Sequence, residues 1–229
     1  MVAPLSANIE SVIWDLDGTI LDSFGILTGV LGEVLPRHGI TVPPDEEIAK
    51  YYHGTIEESI RGILGKGVGE EDFQKVVADF LVLDNAYIQD VNHHLFADAI
   101  NLATRLHKGG VTQIVVTNRA HGTERGSASP RHIIQNSRLK DYIDFVICGD
   151  DGEYRKPNPS VLGALLEDLD RSRTIVIGDQ FVDAQFASNI GARAILVQRA
   201  APAIAHLEKL GNDWRSYVAV VSSLNEVQN

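Results

Sequence analysis

The chain of 229 residues is 44% hydrophobic and 22% charged, the composition of a globular protein long enough for one large domain or a core domain with a smaller insert. Its net charge of −11 argues against a surface that binds nucleic acid or an anionic membrane, because such a surface needs a concentrated basic face. The single cysteine, Cys148, has no partner for an internal disulfide bond, so we expect a reducing, cytoplasmic location.

The N-terminal segment, MVAPLSANIE, has neither the basic start nor the apolar stretch of a secretory signal. No later segment approaches the ~20 apolar residues of a membrane-spanning helix, so we expect no membrane partner. The first apolar run, SVIW at 11–14, predicts a buried strand, and Asp15 and Asp17 follow it at once. Because side chains alternate along a strand, the two carboxylates point to the same side if the chain stays extended through Leu16.

The segment after this strand contains only helical patterns. They cover Phe24–His38, Asp45–Tyr52, Ile56–Leu64 and Glu70–Gln89. The sequence Thr55-Ile56-Glu57-Glu58 fits a capping box that opens the third helix. We therefore predict a helical cap domain, residues 22–92, inserted into a core domain made of residues 1–21 and 93–229.

Strand and helix patterns alternate from about residue 97 onward. Helices are predicted at Ala97–Lys108, Pro159–Leu169 and Phe181–Ile190. The apolar runs between and after them are QIVV (113–116), DFVI (144–147), TIVI (174–177), AILV (194–197) and YVAVV (217–221). Continuous rather than alternating apolarity is typical of parallel strands covered by helices on both faces. The fold class predicted is therefore α/β, with a Rossmann-like open parallel sheet and an inserted α-helical cap.

Polar side chains follow these strands, at the sheet edge where open α/β proteins bind their ligands. They are Asp15 and Asp17, Thr117 and Asn118, Lys156, and Asp179 and Asp183. Ionised carboxylates placed together repel one another unless a cation is bound, and oxygen ligands without a His or Cys cluster favour Mg²⁺. A lysine and a hydroxyl beside such a metal suit a phosphoryl group.

Four motifs, in order and spacing, resemble those of the haloacid dehalogenase-like (HAD) hydrolase superfamily. They are Asp15-Leu16-Asp17-Gly18-Thr19, Thr117-Asn118, Lys156-Pro157-Asn158-Pro159 and Gly178-Asp179-Gln180-Phe181-Val182-Asp183. The resemblance extends from about residue 10 to about residue 200. The helical insert lies where phosphatases of this superfamily, such as those resembling phosphoglycolate phosphatase, carry a cap between the first two motifs.

The resemblance implies a role for each catalytic candidate. Asp15 would attack phosphorus and form an aspartyl-phosphate. Asp17 would protonate the departing alkoxide and then deprotonate the attacking water. Thr117 and Lys156 would hold the phosphoryl oxygens. An acid at position 17 favours phosphate esters over halides, since a halide leaves without a proton.

The resemblance also implies a set of ligands for Mg²⁺. These would be the Asp15 carboxylate, the backbone carbonyl of Asp17 and the Asp179 carboxylate, with Asp183 as a further ligand or a neighbour of the ligands. Gln180 departs from the small residue, often serine, that many relatives have after the first aspartate of this motif. Metal binding is still expected, with Gln180 as a harmless neighbour or a weak outer contact.

Candidates for substrate binding lie in both domains. They are Asn118 and Arg119 in the core and His53, Gly54, Thr55 and Arg61 in the insert. A surface charge for Arg119, and a turn with a solvated arginine for the cap residues, are plainer alternatives.

The sequence thus predicts a Mg²⁺-dependent phosphatase acting on a small phosphorylated metabolite. Phosphoglycolate, sugar phosphates and nucleoside monophosphates all remain open as substrates. Two alternatives share the motifs: a sugar phosphomutase that uses the same phospho-aspartate, and a non-catalytic ligand-binding protein. No pattern in the sequence indicates an oligomeric state.

Overall fold

The computed structural model describes residues 3–4, 9–52, 55–121, 129–199 and 206–228. Within this part of the chain the strands are β1 (Ala3–Pro4), β2 (Ser11–Trp14), β3 (Thr112–Val116), β4 (Phe145–Ile147), β5 (Thr174–Gly178), β6 (Arg193–Val197), β7 (Val218–Val221) and β8 (Val227–Gln228). The α-helices are α1 (Ser23–Arg37), α2 (Asp45–Ala49), α3 (Ile56–Leu64), α4 (Glu70–Ile88), α5 (Ala97–Lys108), α6 (Pro130–Gln135), α7 (Leu165–Asp168) and α8 (Phe181–Ile190). Short 3₁₀ turns cover Gly65–Gly67, Val91–His93, Pro159–Leu162, Arg171–Arg173, Leu207–Leu210, Trp214–Ser216 and Leu224–Glu226.

The main sheet has six strands in the order β4-β3-β2-β5-β6-β7, and every neighbouring pair is parallel. The first strand of this sheet in sequence, β2, lies in its middle, where Trp14 is in register with Val115 of β3 and Ile177 of β5. The α/β prediction is therefore confirmed. A separate two-stranded pair, β1 with β8, was not predicted.

Both faces of the central strand are buried. Val12 and Trp14 contribute to one hydrophobic cluster, together with residues of α1, α4 and α5. Ile13 points to the opposite face and joins a second cluster with residues of α8. This two-sided burial explains why the run SVIW is continuously apolar.

The chain leaves and re-enters the core through two segments that lie side by side. The Asp22 N–H donates to the His94 carbonyl at 2.8 Å, and the Phe96 N–H donates to the Ile20 carbonyl at 2.9 Å. Leu21 and Leu95 form an antiparallel bridge between these bonds. Helices α1 to α4 all lie between the two crossing points, which supports a cap at residues 22–92; that division of domains stays a prediction.

Most predicted elements agree with the observed ones within a few residues, but one helix does not. The segment predicted as a single helix, Pro159–Leu169, is a 3₁₀ turn followed by the short α7. Gly163 lies between them with φ of 55°, a left-handed conformation that ends a right-handed helix. None of the helices in the described part of the chain combines the length and apolarity that crossing a bilayer requires.

Candidate active site

The carboxyl ends of neighbouring strands bring the predicted residues together. The Asp15 N–H donates to the Ile177 carbonyl at 2.8 Å, so the hydrogen bonding of the sheet continues just past β2. The Thr117 N–H likewise donates to the Ile147 carbonyl at 3.1 Å, just past β3. The side chains that gather here are buried, although they are charged or polar: Asp15, Thr117, Lys156, Asp179 and Asp183.

Lys156 bridges two of the aspartates. Its Nζ donates to Asp15 Oδ1 at 2.5 Å and to Asp183 Oδ1 at 2.7 Å, and its side chain is only 2% exposed. Burial lowers the pKa of the ammonium group, but the two carboxylates outweigh burial, so the pKa of Lys156 lies above its ordinary value. Lys156 is therefore a fixed positive charge beside the Asp15 carboxylate.

The aspartates form a cluster that one lysine does not neutralise. Oxygen atoms of Asp15, Asp179 and Asp183 lie within 4.8 Å of one another. Burial, together with the neighbouring carboxylates, raises the pKa of Asp15 to about 7 although Lys156 opposes the shift. Burial and the same repulsion raise the pKa of Asp179. Closely spaced, buried carboxylate oxygens that repel one another fit the site of a hard divalent cation, because the cation would neutralise their charge.

The two oxygens of Asp183 are both in use. Oδ1 accepts the bond from Lys156, and Oδ2 accepts a hydrogen bond from the backbone N–H of Gln180 at 3.1 Å. Asp183 therefore holds the lysine and caps the start of α8. Gln180 lines the cavity beside it.

Gly18 allows Asp179 to approach the first motif. Its φ is +77°, and a Cβ built on it would lie 2.2 Å from Asp179 Oδ2. Thr19 follows in the same turn, and its Oγ1 lies 3.5 Å from Asp15 Oδ2 and 3.5 Å from Asp179 Oδ1. The turn after Asp17 thus places two carboxylates next to each other.

Asp17 forms an ion pair with Arg119. The guanidinium donates from Nε to Asp17 Oδ2 at 3.0 Å and from Nη2 to the other oxygen. Burial lowers the pKa of the guanidinium, but Asp17 outweighs this effect and raises it. Arg119 is anchored by its own N–H, which donates to Thr117 Oγ1 at 3.0 Å. The arginine proposed for a substrate anion therefore contacts the proposed acid–base group.

Asn118 clamps the loop that carries the lysine. Its Oδ1 accepts the Lys156 N–H at 2.9 Å, and its Nδ2 donates to the Lys156 carbonyl at 3.1 Å. The structure thus connects Asn118, predicted to bind substrate, to the backbone of Lys156.

A cavity of about 490 Å³ opens above these groups. The cap contributes part of its wall: Tyr52, Thr55, Ile56, Glu58 and Ser59. Except for Thr55, sequence reasoning did not name these residues as site candidates. The capping-box pattern indicated where α3 begins, but which face of α3 meets the core depends on packing. Burial and then the negative charge of Asp17 raise the pKa of the Tyr52 hydroxyl, so this part of the helical insert lies near Asp17.

Three other residues of the helical insert, Arg61, His53 and Gly54, were predicted to bind substrate. Arg61 does not line the cavity; its guanidinium lies over the Phe73 ring, and its Nη2 pairs with Glu70 Oε2 at 2.6 Å. His53 and Gly54 lie outside the described residues.

Comparisons with known proteins identify relatives that match most of the chain. The family model for haloacid dehalogenase-like hydrolases matches residues 12–197. A phosphoglycolate phosphatase of Rhodobacter capsulatus is 30% identical over 186 residues, which cover 79% of this chain and 80% of the relative. An N-acetylmuramic acid 6-phosphate phosphatase of Pseudomonas putida is 24% identical and covers 93% of this chain and 92% of its own. The structure of a HAD-superfamily hydrolase from Geobacter sulfurreducens has the same fold, with a TM-score of 0.68, 18% identity and coverage of 98% and 97%.

Proposed function

The chain belongs to the haloacid dehalogenase-like hydrolases and is a phosphatase of small phosphorylated metabolites; from this premise we propose that it works through a phosphorylated Asp15 with Mg²⁺ as cofactor. The observation that carries the proposal is the bridge from Lys156 to Asp15 and Asp183 beside Asp179, at the base of one cavity.

In the first step an Asp15 oxygen forms a bond to phosphorus while the bond from phosphorus to the alcohol oxygen breaks. Lys156 offsets the negative charge of the nucleophile and holds a phosphoryl oxygen. The hydroxyl of Thr117, whose oxygen already accepts the Arg119 N–H, donates a hydrogen bond to another phosphoryl oxygen. Asn118 keeps the Lys156 loop in place for both steps.

Asp17 carries the proton in both steps. It gives a proton to the departing alcohol oxygen, and then takes one from the water that attacks phosphorus and releases Asp15 and phosphate. A carboxylate held by a guanidinium resists protonation, so the pair with Arg119 must open before Asp17 can act. The anionic phosphate gives Arg119 an alternative partner, and this exchange makes Asp17 available when substrate is bound.

The metal proposal rests on the repulsion within the buried carboxylate cluster. The Asp15 and Asp179 carboxylates and the backbone carbonyl of Asp17 would hold Mg²⁺, with Asp183 beside them as the anchor of Lys156. When bound, the ion neutralises this cluster and stabilises the charge that develops on the phosphoryl oxygens.

The relatives indicate the range of substrates. One is named for phosphoglycolate, a two-carbon acid, and the other for a phosphorylated sugar acid. We propose a substrate within this range of small phosphate monoesters. A cytoplasmic location is proposed on the single buried thiol, Cys148.

Phosphate release from an aryl phosphate and from a panel of metabolites, with and without Mg²⁺, tests the function. We expect Asp15→Asn to lower the rate by about 10³-fold or more, because the nucleophile is lost. The matched control is Asp22→Asn. Asp22 caps α1 by accepting the Gly25 N–H at 2.9 Å, and asparagine can do the same. Full activity of Asp15→Asn, or of the wild type in EDTA, contradicts the proposal; transfer of phosphate to a sugar hydroxyl indicates a phosphomutase.

A further inference from the structure

The side-chain hydroxyls of Ser23 and Tyr52 form a hydrogen bond with each other. Tyr52 lines the cavity, whereas Ser23 is only 6% exposed and is not part of the lining. Building on the phosphatase function proposed above, we propose that Ser23 orients the Tyr52 hydroxyl toward the cavity, where it donates a hydrogen bond to an oxygen atom on the alcohol part of the substrate. Tyr52 thereby favours phosphate monoesters whose alcohol carries a hydroxyl or a carboxylate.

The direction of this hydrogen bond follows from a count of donors. Each hydroxyl has one proton to donate, and the bond between Ser23 and Tyr52 uses one of the two. Among the described residues neither hydroxyl has another hydrogen-bond partner. If Tyr52 were the donor, the Ser23 proton would be buried without an acceptor, which is unfavourable. With Ser23 as the donor, the Tyr52 proton faces the cavity, where water or a ligand accepts it.

Packing holds the Tyr52 ring in place. The Phe24 ring meets it nearly edge to face, with centroids 5.3 Å apart and an interplanar angle of 73°, a favourable arrangement of aromatic rings. Ser23 and Phe24 are consecutive residues at the start of α1, so the same turn contacts both the hydroxyl and the ring. The donor therefore has a defined position before the substrate arrives.

The start of α1 is in turn tied to the core. The Ser23 N–H donates to the Leu21 carbonyl at 2.8 Å, and Leu21 forms the antiparallel bridge with Leu95 where the chain re-enters the core. The Asp22 N–H bonds to the same returning segment. The position of the Tyr52 hydroxyl is thus set relative to the core and not only within the helical insert.

The Tyr52 hydroxyl lies at the end of the cavity that Asp17 also lines. Burial and then the negative charge of Asp17 raise the pKa of Tyr52, so the phenol keeps its proton and acts as a donor. Asp17 is the group proposed to serve the ester oxygen between phosphorus and the alcohol. The Tyr52 donor, which comes from the insert, is then available to an oxygen farther along the alcohol.

The test compares substrates with and without such an oxygen. The carbon skeleton of n-propyl phosphate carries only the ester oxygen, whereas glycerol 3-phosphate adds hydroxyls to the same skeleton and phosphoglycolate carries a carboxylate. The measured quantity is kcat/KM for each oxygenated ester divided by kcat/KM for n-propyl phosphate. Since both values come from one protein preparation, the ratio does not depend on the fraction of enzyme that is folded.

We expect Tyr52→Phe to lower this ratio about tenfold for the better of the two oxygenated substrates, because their acceptor loses its donor while the ring keeps its contact with Phe24. The matched control is Tyr51→Phe, which removes a hydroxyl from the exposed neighbouring residue that does not line the cavity, and it should keep the wild-type ratio. The inference is overturned if Tyr52→Phe keeps the wild-type ratio, or if the two variants lower it alike.

Ser23→Ala tests whether Ser23 acts through Tyr52. The substitution removes the donor that orients the Tyr52 proton, and we expect the ratio to fall about threefold. In Tyr52→Phe no hydroxyl remains to be oriented, so adding Ser23→Ala should lower the ratio no further. A loss of the same size in both backgrounds would contradict the role of Ser23.

Asp15→Asn separates this inference from the proposed function. If phosphate release depends on Asp15 but the ratio does not respond to Tyr52→Phe, the role of Tyr52 is wrong and the proposed function stands. If release does not depend on Asp15, both are wrong.

Discussion

Arg119 holds Asp17 by two hydrogen bonds from one guanidinium, although 102 residues separate them in sequence. The Asp17 side chain is 25% exposed and that of Arg119 is 14% exposed, so water screens the pair only in part. The pair connects Asp17, the proposed acid–base group, to a residue two positions after Thr117, the threonine proposed to bind phosphate.

Arg119→Ala should raise KM about tenfold and also lower kcat, because the substrate phosphate loses a cation that also stabilises the charge developing on it in the transition state. Arg119→Lys keeps the charge without the two-pronged geometry, and an intermediate KM is expected. Steady-state kinetics on an aryl phosphate measure both constants. Unchanged kinetics in Arg119→Ala would exclude a role for this pair.

Asn118→Ala should lower kcat about tenfold, because both hydrogen bonds to the Lys156 backbone disappear and the ammonium group is less well placed. The thermal stabilisation produced by Mg²⁺ should persist, since no aspartate of the cluster changes. If kcat stays at the wild-type value, the clamp does not position the lysine.

Replacing Asp179 should abolish the thermal stabilisation that bound Mg²⁺ is expected to give. We expect Mg²⁺ to raise the melting temperature of the wild type but not that of Asp179→Asn. At a Mg²⁺ concentration 100 times the dissociation constant, binding should stabilise the folded wild type by about 2.7 kcal/mol. Without metal, Asp179→Asn should be the more stable protein at pH 7, because burial and neighbouring carboxylates raise the pKa of Asp179 and ionising it destabilises the fold.

Asp168→Asn is the control for the metal experiment. Asp168 is an exposed aspartate on α7, outside the cavity lining. Thermal melts with and without Mg²⁺ compare the three proteins. A normal Mg²⁺ shift in Asp179→Asn would place the metal elsewhere.

Gly18→Ala should disrupt the site through the backbone. A methyl group would meet Asp179, and the positive φ adds a strain of about 1–2 kcal/mol for a residue with a side chain. We expect loss of activity and of the Mg²⁺ shift. Gly32→Ala in α1 is the matched substitution, since its Cβ meets no atom within 4 Å, and it should be neutral or stabilising. Equal behaviour of the two variants would contradict this account.

The hydrogen bonds of Asp98 predict that the folded protein loses stability in acid. Its carboxylate accepts bonds from Arg199 Nη2 at 2.7 Å, Ser223 Oγ at 2.8 Å and the Leu224 N–H at 2.9 Å. Burial raises the pKa of Asp98, but these bonds outweigh burial and lower it below the ordinary 3.8. An acid with a lowered pKa stabilises the fold above its unfolded-state pKa, and the contribution is lost as the pH falls through the folded-state value.

Asp98→Asn should therefore lower the free energy of unfolding at pH 7 by about 3 kcal/mol. The difference from the wild type should narrow below about pH 4, where the wild-type carboxylate begins to be protonated. Urea unfolding at pH 7 and at pH 3.5 measures both values. A difference that stays constant with pH would show that the ionised carboxylate is not the stabilising form.

Much of the fold follows from local pattern. Strands such as SVIW and TIVI are apolar throughout because parallel strands are covered on both faces, and the sheet confirms each of them within about a residue. The capping box at Thr55 is an interaction between near neighbours, and it is present with both of its hydrogen bonds. The helix predicted after Lys156 failed because Gly163 adopts a left-handed conformation that the apolar spacing did not reveal.

The sequence by itself determined which groups gather at the sheet edge, because the carboxyl ends of parallel strands meet there whatever the details of packing. Asp15, Thr117, Lys156 and Asp179 could therefore be named as neighbours before any coordinates. Only the tertiary structure decided which partner each group takes. Arg119 pairs with Asp17, and Glu58 lines the cavity. The sequence does not predict these contacts, because contacts between distant segments depend on how the helices pack and on which face of α3 meets the core.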